Sequence, residues 1–121
     1  LASPPKLGRI HIENRDETPH TVHVLVPRDG ERVFWQSFDL EGTVDTDDGQ
    51  RVRDIRVVPQ SEWGDRRGDY EVSARLDHET EVTTDSVDHG PPCELLNVIV
   101  HGDPAGASLS IINAPADADC E

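Results

Sequence analysis

Apolar and polar residues alternate with a period of two along most of the chain, and no segment shows the 3.6-residue period of an amphipathic helix. The most regular stretch is 69–77, in which one parity carries the apolar residues Tyr70, Val72, Ala74 and Leu76. Successive side chains of a strand point to opposite faces, so this stretch predicts a strand with one buried face. The same alternation, less regular, covers 8–13, 20–27, 31–40, 51–58, 81–86 and 107–112.

Turn residues separate these stretches at the spacing of about 8 to 12 residues that is typical of sandwiches. The pair Asp29-Gly30 lies between 21–27 and 31–40, and an Asp-Gly pair between alternating runs is a strong hairpin signal. The stretch 51–58 is interrupted by charge and predicts an edge strand. The almost continuously apolar stretch 95–100 predicts the most buried strand, with 107–112 as its hairpin partner. Together these features predict an all-β antiparallel sandwich of about seven or eight strands.

The length of the chain allows one domain. Its 121 residues are only 34% hydrophobic and 4% aromatic, which predicts a thin core of Val, Ile and Leu between two layers. We expect residues 1–7, with Pro4 and Pro5, to form an extended N-terminal arm and residues 8–121 to form the sandwich.

Acidic residues dominate the charge: 25 Asp and Glu oppose 11 Lys and Arg, for a formal net charge of -14, and Lys6 is the sole lysine. Such a domain repels itself in dilute buffer, whereas molar salt shortens the screening length to about 3 Å. The composition therefore indicates adaptation to high salt. It also argues against nucleic acid as a partner, because a chain this acidic repels phosphate.

Two cysteines, Cys93 and Cys120, are expected to form a disulfide if the protein is exported. Closing a loop of about 28 residues would stabilise the fold by about 3.5 kcal/mol on the chain-entropy model. The alternative is two unpaired thiols in a cytosolic protein. No stretch approaches the apolar length of a transmembrane segment, and we expect an extracytoplasmic location, at the cell surface or secreted.

Residues 14–22 contain Asn14, a short turn and the dipeptide Pro19-His20. This segment resembles the strand entry of cupredoxins, in which such a dipeptide places the first copper-ligating imidazole at the mouth of a β-sandwich. The resemblance implies a cupredoxin-like or immunoglobulin-like fold and makes His20 a candidate metal ligand. The copper-ligand loop of that family is missing, because Cys93 is followed by Glu-Leu-Leu-Asn and the chain has no Met. We therefore expect no cofactor, with copper at His20 as the alternative to a turn-anchoring histidine bonded to a backbone carbonyl.

The sequence contains weaker candidate sites besides His20. The acidic loop of Asp45, Asp47 and Asp48 is a candidate calcium site, although EF-hand spacing is absent. His11 and His23 are conceivable partners in a surface zinc site if their strands are adjacent. No Ser-His-Asp order, phosphate loop or paired-carboxylate motif occurs, so we expect no enzyme activity.

The remaining candidates are interaction residues. They are two tryptophans expected to be exposed and the main concentration of arginines: Trp35, Trp63, Arg51, Arg53 and Arg56.

The tripeptide Gly68-Asp69-Tyr70 resembles the entry to a late strand in immunoglobulin-like sandwiches. As a whole, the chain resembles the small cupredoxin-like and immunoglobulin-like surface domains of haloarchaea. We expect a non-catalytic extracytoplasmic binding or structural module, of surface or filament type, whose partner is protein. That partner includes further copies of the chain, paired through edge strands or the N-terminal arm. The alternative function is a cupredoxin-like metal carrier or redox protein.

Overall fold

The computed structural model describes residues 6–87 and 93–115, which form ten strands. The strands are β1 (Lys6–Asn14), β2 (His20–Arg28), β3 (Glu31–Leu40), β4 (Val44–Asp45), β5 (Arg51–Val52), β6 (Asp54–Val58), β7 (Glu71–Leu76), β8 (Val82–Ser86), β9 (Cys93–His101) and β10 (Ser108–Pro115). The described helical structure is a single 3-10 turn, Gln60–Glu62, so the described residues contain no helix that could cross a membrane. The expectation of an all-β sandwich is confirmed.

Eight strands form two four-stranded sheets that pack face to face. Sheet A has the order β10-β9-β1-β6, sheet B has the order β3-β2-β7-β8, and β4 and β5 form a small separate hairpin. All neighbours are antiparallel except β1 and β9, which run parallel. The fully antiparallel arrangement predicted from the sequence is therefore incorrect at this one pair. The chain between β1 and β9 is long enough for the crossover that parallel strands need.

Alternate residues of the central strands fill the space between the sheets, as the period-two pattern predicts. The fully buried residues include Ile10 and Ile12 of β1, Val22 and Val24 of β2, Val72 of β7, and Val98 and Val100 of β9. Each side chain of this size contributes about 1.5–3 kcal/mol when it is buried rather than exposed.

The predicted hairpin between β2 and β3 is confirmed, with Val22 opposite Phe38 and Leu25 opposite Trp35. Asp29 and Gly30 both have positive φ, as the tight turns that match strand twist require. The register shifts between Val26 and Pro27, where β3 has one extra residue. β3 lies at the edge of sheet B and has ten residues in extended conformation.

The edges of the two sheets meet in pairs along the two sides of the sandwich. On one side, the guanidinium of Arg56 in β6 donates to the backbone carbonyl of Asp39 in β3 at 3.0 Å. On the other side, the amide of Asn113 in β10 donates to the carbonyl of Ser86 in β8 at 3.4 Å. Consequently, the edges of β3 and β10 lie on opposite sides of the molecule. The expected edge position of 51–58 is confirmed for β6, whereas Arg51–Val52 pairs with β4.

Two sequence-based expectations are corrected here. β1 begins at Lys6, so Lys6 and the fully buried Leu7 belong to the sandwich rather than to an N-terminal arm, and residues 1–5 lie outside the described part. Trp63 is buried, with 6% of its surface exposed, because the 3-10 turn directs it into the core. Its indole N–H donates to the carbonyl of Leu7 at 2.9 Å, and its ring packs edge-to-face on Phe34. The residues that flank Trp63 show no alternation, so its burial could not be predicted from the pattern.

Candidate functional site

His20 lies between two carboxylates at one end of the sandwich. Its Nε2 is 2.6 Å from Oδ2 of Asp16, and its Nδ1 is 2.6 Å from Oδ2 of Asp77. The imidazole is 9% exposed, whereas the side chains of Asp16 and Asp77 are 22% and 35% exposed. We call these three residues the His20 cluster. Two acceptors on two ring nitrogens favour a doubly protonated, cationic imidazole.

The end of β7 positions Asp77. Its other carboxylate oxygen accepts the backbone N–H of Thr21 at 2.8 Å, and its own N–H donates to the carbonyl of Thr21 at 2.7 Å. Asp77 has a φ of 49°, a left-handed conformation that Asp tolerates better than most residues and that ends the strand. The carboxylate is thereby fixed against the start of β2.

Asn14 positions the loop that carries Asp16. The side chain of Asn14 is fully buried, and its Oδ1 accepts the N–H of Asp16 at 2.9 Å. Its amide donates to the carbonyls of Thr18 and Glu41, each at 3.0 Å. A single buried side chain therefore satisfies three backbone groups and holds the loop between β1 and β2 in one conformation.

Two glycines allow neighbouring loops to approach this one. A Cβ at Gly42 would lie 2.0 Å from the carbonyl oxygen of Glu17, and a Cβ at Gly102 would lie 2.7 Å from Oδ1 of Asp16. Only a residue without a side chain fits at such distances. The loops after β3 and β9 therefore pack closely around the His20 cluster.

The pKa values in the cluster follow from this geometry. Burial of the imidazole opposes its charge, but the hydrogen bonds and charges of Asp16 and Asp77 outweigh that effect and raise the pKa of His20 above 6.5. The hydrogen bond from His20 lowers the pKa of Asp16 below 3.8. Burial opposes the charge of Asp77, yet the bonds from Thr21 and His20 prevail and lower its pKa as well.

This arrangement can hold a proton and tie three loops together. Because both ring nitrogens of His20 already face carboxylates, a metal ion would have to displace one of them. Within residues 6–87 and 93–115, no group of three or more His, Cys, Asp or Glu side chains is arranged to hold a metal ion. His20 does anchor a turn, as expected, but its partners are two carboxylates rather than a backbone carbonyl.

The arginines predicted as a docking patch face carboxylates of their own chain. The pairs are Arg51 with Asp45 at 3.1 Å and Glu17 at 3.3 Å, Arg53 with Glu13 at 2.5 Å, and Arg56 with Asp54 at 3.1 Å. All three guanidinium groups remain partly exposed, but each is already neutralised by an acid.

Trp35 is the interaction candidate that the structure places on an open surface, with 65% of its area exposed. It lies on the outer face of sheet B, in a cross-strand row of four residues: Trp35, Leu25, Ser73 and Thr84. The adjacent row contains Ser37, His23, Arg75 and Val82. We call these two rows the Trp35 face.

The weaker candidates from the sequence lie on different sheets or form a turn. His11 lies in sheet A and His23 in sheet B, so the strands that carry them are not neighbours and the condition for a shared zinc site is not met. The acidic loop forms the turn between β4 and β5, where the hydroxyl of Thr46 donates to Asp48 and Gly49 adopts a positive φ. The expected disulfide between Cys93 and Cys120 involves a residue, Cys120, that lies outside the described part of the chain.

Asp16, Asp77 and the positioning role of Asn14 were not recognised from the sequence. One signal was available, since an Asn two residues before an Asp in a turn-rich segment is typical of a side-chain bond to the backbone two residues on. Asp77 becomes a partner of His20 only through the pairing of β2 with β7, which the sequence does not specify.

A scan of protein-family models and a search of curated protein sequences find no match to this chain.

Proposed function

We propose that the protein is a non-catalytic structural module that assembles with copies of itself by pairing β3 of one molecule with β10 of the next. The observation that carries this proposal is the lack of charge along β10 and along the central part of β3. In a chain with 30% charged residues, positions 33–38 of β3 and all of β10 carry none. Natural edge strands are commonly protected from pairing by charge, and these two edges lack that protection.

The backbone of β3 is oriented for such pairing. The carbonyl of Asp39 accepts from Arg56, so it points away from β2. Backbone groups alternate in direction along an antiparallel edge, and those of Trp35 and Ser37 therefore point outward too. Strand addition would give these groups hydrogen-bond partners without any special side chain.

The positions of the two edges determine the kind of assembly. Because β3 and β10 lie on opposite sides of the sandwich, their pairing is head-to-tail and leaves one free edge at each end. Contacts of this kind produce rings if they close and filaments if they do not. This geometry supports a surface-layer or filament role.

We further propose that the module works outside the cytoplasm of a salt-loving organism, at the cell surface or after secretion. The net charge of -14 supports the high-salt part of this proposal, since two such molecules repel each other until salt screens them. Kinship with immunoglobulin-like domains is part of the proposal. The hydroxyl of buried Tyr70 donates to the carbonyl of Arg66 four residues upstream, which resembles the tyrosine corner of those domains.

Lysine substitutions at the two edges test the assembly. We expect the wild type to form oligomers in molar KCl, whereas Gln36→Lys in β3 or Ile112→Lys in β10 yields monomers. Both positions are exposed, so the fold should tolerate the change. Because each variant keeps one intact edge, an equimolar mixture of the two should form dimers and nothing larger. Sedimentation velocity measures these masses.

Val44→Lys is the matched control, because Val44 is 60% exposed on the hairpin of β4 and β5 and lies on neither edge. It should assemble like the wild type. A wild type that stays monomeric at high concentration in molar salt contradicts the proposal. Dimers formed by Ile112→Lys alone would show pairing of β3 with itself instead.

Salt should also stabilise the single molecule. Raising KCl from low to molar concentration should increase the free energy of unfolding by about 1–2 kcal/mol, because like charges on the surface are screened. Thermal unfolding of the monomeric double variant Q36K/I112K, followed by circular dichroism, measures this without interference from assembly. A melting temperature that is independent of salt would contradict the proposed adaptation to high salt.

A further inference from the structure

The Trp35 face carries no acidic residue, although acids outnumber basic residues by more than two to one in this chain. The first row contains Trp35, Leu25, Ser73 and Thr84, and the second contains Ser37, His23, Arg75 and Val82. Acids return at the next outward positions of the same strands, at Asp39 and Glu71. The Trp35 face is thus a neutral and basic patch on an otherwise acidic protein.

Two cations, Arg75 on the Trp35 face and Arg32 beside it, differ from the arginines described above. Arg32 lies over the ring of Trp35, 5.0 Å from its centroid, and no carboxylate within the described residues pairs with it. Arg75 donates to the backbone carbonyls of Asp77 and Glu79 at 3.3 and 3.1 Å, which leaves its charge without a carboxylate. Unlike Arg51, Arg53 and Arg56, these two cations have no carboxylate partner among the described residues and can meet an anion from outside.

Apolar contact is available beside these cations. Trp35, Leu25 and Val82 are 65%, 36% and 52% exposed, and they line a groove of about 200 Å³ together with His23, Ser73 and Arg75. Arg32 does not line this groove, so the ring of Trp35 remains accessible from it. Aromatic rings provide a flat apolar surface with little conformational entropy to lose on binding.

The size and chemistry of the face favour a sugar over a protein. A stable protein interface buries roughly 800 Å² on each partner, and three exposed apolar side chains fall far short of that. A sugar unit has C–H groups that pack on an indole and hydroxyls that bond to polar side chains. The hydroxyls of Ser73 and Thr84 lie 2.9 Å apart at the end of the first row, and each retains capacity for a further hydrogen bond.

We propose that the Trp35 face binds an anionic carbohydrate, a chain of sugar units that carry carboxylates. The indole of Trp35 stacks on one sugar ring, and the guanidinium groups of Arg32 and Arg75 bind carboxylates of that unit and its neighbour. This site uses side chains on the outer face of sheet B, whereas the proposed assembly uses the backbone edges of β3 and β10, so binding at the Trp35 face does not require strand pairing. Molar salt screens distant charges but weakens contact pairs less, so stacking supplies affinity and the arginines supply selectivity for the acid.

Isothermal titration calorimetry in molar KCl tests this with three probes: oligogalacturonate, its fully methyl-esterified form and poly-glutamate of equal charge. We expect oligogalacturonate to bind at least about tenfold more tightly than the other two. Trp35→Ala should weaken it by about tenfold or more. Arg32→Gln and Arg75→Gln should each remove most of the preference for the acid over the ester. Arg15→Gln, which alters an arginine already paired with Glu13, is the control that should change nothing.

Every other outcome overturns the proposal. Equal binding of acid and ester would exclude a role for the arginines. Tighter, Trp35-dependent binding of poly-glutamate would assign the face to acidic proteins, and no binding of oligogalacturonate would leave it without this ligand. Within the described residues the side chain of Arg32 makes no hydrogen bond to the backbone, so R32Q remains informative if R75Q unfolds. Sedimentation of the same samples reports assembly separately, so failure of the carbohydrate site and failure of strand pairing are distinguishable.

Discussion

Replacing Trp63 by Ala should lower the free energy of unfolding by about 3–5 kcal/mol, the range for truncating a large buried aromatic side chain. The ring fills the core beside Phe34, with centroids 5.5 Å apart, and its N–H satisfies the carbonyl of Leu7. The substitution leaves a cavity and an unpaired carbonyl in β1. Denaturant unfolding in molar salt measures the change.

The same substitution at Trp35 is the matched control. Trp35 is 65% exposed, so W35A should change stability by less than about 0.5 kcal/mol. Trp63→Phe separates the two contributions, because it keeps much of the volume and loses the hydrogen bond, at a cost of about 1–2 kcal/mol. Equal destabilisation by W35A and W63A would contradict the assignment of one tryptophan to the core and one to the surface.

Replacing His20 by Ala should have the second largest effect, about 2 kcal/mol near pH 6. The change leaves two carboxylates facing each other without the cation between them. Removing one partner from a buried ion pair costs about 3–5 kcal/mol, and the partial exposure of Asp16 and Asp77 reduces that figure here.

The effect should depend on pH in a defined window. Because the pKa of His20 is raised, its contribution is complete below 6.5 and disappears as the pH rises through its value in the folded protein. Because the pKa values of Asp16 and Asp77 are lowered, their contribution is complete above 3.8 and disappears as the pH falls through their folded values. The stability difference between wild type and H20A should therefore be largest between these limits.

His101→Ala is the control for this series. His101 bonds to the hydroxyl of Ser110 at 2.6 Å and to no carboxylate in the described part of the chain, so its removal should cost less than the removal of His20. Unfolding curves of the three proteins from pH 3 to about 9 provide the comparison. A constant difference between wild type and H20A would show that the imidazole acts by packing alone.

The fold was predictable to the extent that it rests on local patterns. Alternation identified β2, β3 and β7, and the Asp29-Gly30 pair identified the hairpin, because each depends on residues close in sequence. The parallel pairing of β1 with β9 was not predictable, since no nearby turn specifies it. The burial of Trp63 was missed for the same reason, because the contact with Leu7 joins distant parts of the chain.

The site was predictable only in part. The Pro19-His20 dipeptide identified the imidazole, and its role in anchoring a turn was anticipated. Its partner Asp77 is brought to it by sheet pairing, and an isolated Asp in so acidic a sequence gives no signal. The Trp35 face is likewise a property of register, because its two rows combine residues from four strands.

The parallel pairing of β1 with β9 also sets the order in which the molecule can fold. The partners of β1 in sheet A are β9, near the far end of the sequence, and β6. A chain dominated by such long-range contacts folds slowly, in milliseconds to seconds, because the loop must close before the contacts form. Sheet B, built from β2, β3, β7 and β8, does not need β1, whereas sheet A stays incomplete until β9 and β10 are available. Refolding should therefore be slow compared with that of helical domains of similar length.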